Sequence, residues 1–244
     1  MASLARGDVA LPAMLAFPLQ ARLAAALDNP ERLDAHVLDD LDASVTALRW
    51  QTVPDPPFLR LRLAVAPAIE VIERLLGASP PSKARERLCE VAARSMAFAA
   101  RLSFELRDDE AAAALFADAL RAADEVRDGR TKAATLTSWS MVTLHSGRSF
   151  AETEGRTHQA VRAALGGSSE AVRARAFAVE AEVHASTRDA RRTANALRCA
   201  ERHLERTSRD EGLNTFDYHR LEGIRGVCSR CSASRGQPGR GGEG

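Results

Sequence analysis

Residues 84–129 read ARERLCEVAARSMAFAARLSFELRDDEAAAALFADALRAADEVRDG. Apolar residues recur at helical spacing on either side of Arg107-Asp108, so the stretch predicts two long helices joined by a tight turn. Ala112, Phe116 and Ala119 fall on one face of the second helix, and Ala100 lies seven residues before the turn. Small residues belong there, because an antiparallel helical hairpin buries itself only where its helices approach closely.

The same arrangement returns downstream. Helix boundaries fall at Arg107-Asp108, Gly147-Arg148 and Arg188-Asp189, a period of 40 and 41 residues. Small residues keep that period at Ala100, Ser140 and Ala181 before the boundaries, and at Ala119, Ala160 and Ala200 after them. Two sets of markers with one period predict a repeat array over residues 82–231. Asn214 to Cys231 reads as the first helix of a further hairpin with no second helix after it, which leaves an apolar face open to self-association.

Upstream, residues 1–17 predict a partly disordered lead-in, and residues 18–81 a set of N-terminal helices. Pro18 opens a helix with Leu19, Leu23, Ala26 and Leu27 on one face. Asn29 as cap and Pro30 at the first helical position predict a second, whose apolar face is Leu33, Val37, Leu38, Leu41, Val45 and Leu48. Prolines at 54, 56 and 57 end it. Residues 58–77 alternate like a strand in part, but a lone strand has no pairing partner, so a helix kinked at Pro67 is expected. Residues 232–244 are Gly- and Arg-rich and predict a disordered tail.

Composition agrees with closely packed helices: of 244 residues 45% are hydrophobic, 27% charged and only 5% aromatic. The net charge of +1 balances 34 basic against 33 acidic residues, so no global field recruits nucleic acid or an anionic membrane. No apolar run suits a membrane span or a signal peptide, which places the expected location in the cytoplasm. Four cysteines in a chain of this length predict reduced thiols.

Ala100 with the A-x3-F-x2-A spacing resembles the tetratricopeptide repeat signature, although the later units place Thr153 and Thr193 where the first has Ala112. Residues 8–231 more broadly resemble the tetratricopeptide-like C-terminal region of actinobacterial transcriptional regulators that carry an N-terminal helix-turn-helix of the xenobiotic-response-element type. The resemblance rests on LPAMLAFPLQARLAAALDNPERLDAHVLDDL, RLCEVAARSMAFAARLSFELRDDEAAAALFADAL and FDYHRLEGIRGVC. It implies a helical region that senses a partner or ligand and passes that state to a DNA-binding domain. About ten residues precede the matching region, so the helix-turn-helix is missing and direct DNA binding by this chain is not expected.

The fold expected is therefore all-α, a tetratricopeptide-like array of antiparallel αα-hairpins forming a right-handed superhelix. First helices line the concave face of such an array. Counting outward from the small positions puts Arg94, Arg101, Thr137, Met141, His145, Arg175 and Glu182 on it, as a surface for a protein or peptide. A small-molecule ligand and a second copy of the chain are the other partners this reading admits. Trp139 belongs to the core.

Catalytic motifs are missing, and the chain reads as a non-catalytic regulatory interaction module, the alternative being a plain scaffold without a ligand switch. His36, His145, His158, His184, His203 and His219 form no ligand-pair motif and read as solvated helix histidines. Cys199-x3-His203 with Cys228-x2-Cys231 has the residue types of a zinc site, which requires four convergent ligands. Neither metal nor cofactor is expected.

Overall fold

The computed structural model describes residues 17–49, 57–127, 129–147, 149–207 and 216–233. The expected lead-in, the proline cluster before residue 57 and the expected C-terminal tail lie outside them, apart from their innermost residues. Among the described residues all regular structure is helical: α1 (Phe17–Asp28), α2 (Ala35–Arg49), α3 (Phe58–Gly77), α4 (Ser82–Glu105), α5 (Asp109–Asp124), α6 (Gly129–His145), α7 (Phe150–Leu165), α8 (Glu170–Ser186), α9 (Ala190–Glu205) and α10 (Tyr218–Ala233). The protein is all-α.

It divides into two compact units, Met1–Arg127 and Asp128–Gly244. Residues on both sides of position 82 belong to the first unit, and α4 is what joins them. That helix packs against α2, α3 and α5 together, and buries Leu88, Cys89, Val91, Ala92, Ala93, Met96 and Phe98, a broad apolar face opposite the charged row of Glu90, Arg94 and Arg101. A face this wide can meet several neighbouring helices at once. One continuous cluster from Leu19 to Val126 surrounds it, joining the N-terminal helices to the α4–α5 hairpin.

In the second unit α8 holds the same central place, packed against α6, α7, α9 and α10. Its buried residues include Ala171, Ala174, Ala176, Ala178, Ala181 and Ala185. Alanine on so many sides lets four helices approach one axis closely. The small residues that mark the period in the sequence are core residues. Ala100, Ser140 and Ala181, and Ala119, Ala160 and Ala200, are all buried. Where the first hairpin has Ala112 and Phe116, the second has Thr153 and Thr157, also buried. Their hydroxyls are satisfied locally, donating to the carbonyls of Ser149 at 3.3 Å and Thr153 at 2.8 Å. That is how a polar residue keeps a core position.

The joints between hairpin helices are built alike. Arg107, Gly147 and Arg188 all take left-handed backbone, with φ of 63°, 69° and 63°. Around Arg107, its own N–H donates to the Phe104 carbonyl, and the Asp108 N–H to the Ser103 carbonyl, both at 2.9 Å. Arg188 and Asp189 repeat this with Ala185 and His184. The crossed pair of bonds is the Schellman closure of a helix C-terminus. Asp108 and Asp189 then cap the next helix, each carboxylate accepting from the backbone N–H three residues on.

One N-terminal expectation changes. Asn29 caps only a short 3-10 turn over Pro30–Arg32, its side chain accepting from the Glu31 N–H. The α-helix starts afresh at Ala35, with the Asp34 carboxylate accepting from the Val37 N–H at 2.9 Å. All six apolar residues named for that helix are nonetheless buried. Residues 58–77 are one helix through Pro67, with no strand.

Candidate functional site

The seven residues expected to line a binding face divide between the units. In the first, Arg94 is tied down: its Nη2 lies 2.9 Å from the Asp42 carboxylate of α2. Arg87 reaches Asp39 at 2.7 Å and Asp42 at 3.4 Å, so α2 and α4 share a charged seam. Arg101, by contrast, is exposed, 3.9 Å from Glu105 on its own helix. Asp39 and Asp40 fasten α2 to α4 and, through Arg22, to α1.

In the second unit five of the residues lie on the paired first helices α6 and α8. The Glu182 carboxylate is 3.3 Å from Nε2 of His145, and Arg175 Nη2 donates to the Ser138 hydroxyl at 3.2 Å. These contacts stitch α6 to α8. Glu182 is only 5% exposed whereas His145 stands half in solvent. Met141 is half-buried. Thr137 is withdrawn, being buried with its hydroxyl donating to the Ala133 carbonyl at 2.6 Å, and it offers no side chain to a partner. Trp139 is half-buried rather than core, with the Arg156 guanidinium of α7 stacked 3.8 Å from its ring centroid.

The cysteine-histidine quartet does not converge. His203 Nδ1 turns to the Glu170 carboxylate at 2.6 Å, and its ring stacks on Phe177 at 5.4 Å. Cys228 and Cys231 instead pack with Ala181, Ala185 and Ala196. All four cysteines are free thiols, and burial pushes Cys89 and Cys228 up to about 11, which keeps them protonated and unreactive at neutral pH.

A cluster that the linear sequence did not reveal lies on α7 and α8. One donor atom from each of His158, Glu180 and His184 lies within 4.8 Å of the other two. His158 Nε2 is 3.8 Å from Glu180 Oε1, and the two histidine rings are 6.3 Å apart. Glu180 and His184 also line a pocket of about 450 Å³ with Arg191, Arg192, Asn195, Ala196 and Arg198 of α9. Burial raises the Glu180 carboxyl above its usual range, opposed by the nearby His158 and Arg192 charges. Burial, helped by Arg192, holds His184 below the ordinary imidazole value, so it is neutral at pH 7. The sequence signal was Glu180-x3-His184, two donors on one helix face. Nothing in the sequence showed that His158, from the preceding helix, meets them.

These features define an all-helical protein of two units, each built round one buried helix, with a polar seam between first helices and a His-Glu-His cluster behind it. No protein family, curated protein or solved structure matches the chain significantly.

Proposed function

We propose that the chain is a non-catalytic interaction module, each unit a segment of a right-handed tetratricopeptide-like array whose first helices present a binding face for a protein or peptide. The observation supporting this reading is the α6–α8 seam. There His145 and Met141 reach the surface over an anchored layer of Glu182, Arg175 and Ser138. A half-exposed histidine resting on a buried carboxylate, beside a thioether, provides one polar and one adaptable apolar contact on rigid helices.

The link to transcriptional regulation rests on the family resemblance of residues 8–231. In that setting, occupancy of the seam shifts the packing between neighbouring hairpins, and a bound partner reads the change.

Affinity capture with the purified full chain, compared with His145→Glu and Met141→Glu variants, tests the reading. The expected result is one protein or peptide retained by the parent and lost from both variants, with their helical circular dichroism intact. Identical capture by parent and variants overturns it.

A further inference from the structure

We propose that His158, Glu180 and His184 form a binding site for Zn²⁺, held between the second and third hairpins of the array. This goes beyond the interaction reading and does not depend on it.

The donor set carries the proposal. Two imidazoles and one carboxylate are borderline-soft and hard ligands that suit zinc, and three protein ligands leave a fourth position open. Glu180 and His184 stand one turn apart on α8, so both side chains project from one face. His158 approaches from α7. Tetrahedral zinc with bonds of about 2.0–2.1 Å places its ligands roughly 3.4 Å apart. All three donor atoms lie within 4.8 Å of one another, and the His158–Glu180 distance is 3.8 Å. Side-chain rotation of about 1 Å therefore closes the site, and the half-exposed His158 is the arm free to make it.

Burial adds a second argument. A histidine–glutamate pair at a helix interface explains His158 and Glu180 but not His184, a third donor buried at the same point. Metal coordination gives all three a common partner. The neighbouring arginines do not forbid a cation. Arg192 is engaged by Glu154 at 3.2 Å and Asp189 at 3.4 Å. Arg191 and Arg198 line the adjoining pocket. That pocket is where the fourth ligand enters, and its arginines favour an anion or hydroxide over a neutral group.

The test uses the full chain stripped with chelator, titrated with Zn²⁺ alone and followed by calorimetry and metal analysis. One zinc per chain is expected. His158→Ala and Glu180→Gln should each weaken binding at least about a hundredfold, since even outer-shell partners are worth ten- to a hundredfold. His158 is half in solvent, so its loss leaves the fold intact, and an unchanged melting temperature without metal verifies that. The Cys199→Ser/Cys231→Ser double variant should bind as the parent does. Co²⁺ substitution should give the visible bands of a four-coordinate nitrogen-oxygen site. Failure to bind zinc, binding that survives His158→Ala, or binding lost in the cysteine variant overturns the proposal.

Discussion

Arg107 and Arg188 end their helices alike: each sits at φ 63° and each closes its helix through the same crossed pair of backbone hydrogen bonds. Gly147 holds the corresponding place in the hairpin between them. A residue with a Cβ is strained in this conformation by roughly 1 kcal/mol relative to glycine. Arg107→Gly and Arg188→Gly should therefore stabilise the protein, by about 0.5–1 kcal/mol each, measured by urea unfolding. Glycine's extra freedom in the unfolded chain keeps the gain at the low end. A loss of stability in both would show that the arginine side chains, not the turn, matter there.

Gly129 predicts the opposite. A Cβ at this position would stand 2.4 Å from the Ala163 carbonyl oxygen, at the point where the start of α6 meets the end of α7. The opposing atom belongs to the backbone, so helix termini must separate to relieve the clash. Gly129→Ala should cost about 1–3 kcal/mol, seen as a lower thermal midpoint, whereas Gly155→Ala, with open space around it, should be neutral or stabilising.

The acid limb of stability should report on Glu170. Its bond to His203 holds the carboxyl below the ordinary value of 4.5, against the opposing effect of burial, with the His203 and Arg173 charges assisting. A carboxyl depressed in the folded state adds stability that is present above its unfolded pKa and is lost as pH falls through the folded one. The loss should thus begin near pH 4.5 and continue below it. Glu170→Gln should flatten this part of the pH–stability curve; a curve identical to the parent's would refute the assignment.

The His145–Glu182 pair predicts a coupled result. Removing the imidazole leaves a nearly buried carboxylate without the partner 3.3 Å away, a loss that costs about 1–3 kcal/mol. Replacing Glu182 by Met at the same time removes the stranded charge. His145→Ala should destabilise more than the His145→Ala/Glu182→Met pair does, by denaturant titration of both. Additive effects would mean that the two residues act independently.

The hairpins were legible because their signals are local and repeated. A left-handed joint, a capping aspartate and small residues at fixed offsets all leave marks within a few positions, so the boundaries at 107, 147 and 188 coincide with the structural joints. Asp34 was passed over because Asn29-Pro30 is a stronger motif, and the chain spends it on a 3-10 turn before starting the real helix. The central roles of α4 and α8 were half-visible in their runs of alanine. Side-chain meetings between helices were not visible. Thr137 lies near a surface row by counting, yet its exact rotation turns it inward, and His158 meets Glu180 and His184 only through the angle at which α7 crosses α8. Such angles depend on the packing of many side chains, which no short window of sequence contains.

The crossed-bond joints also bear on how the molecule comes to its shape. The joints at Arg107 and Arg188 each close a hairpin whose two helices are neighbours in the chain, so the pairings of α4 with α5 and of α8 with α9 can zip before any distant segment arrives. Short closures are cheap in entropy and fast. A ribosome releasing this chain would therefore deliver finished hairpins one after another, in the order of synthesis.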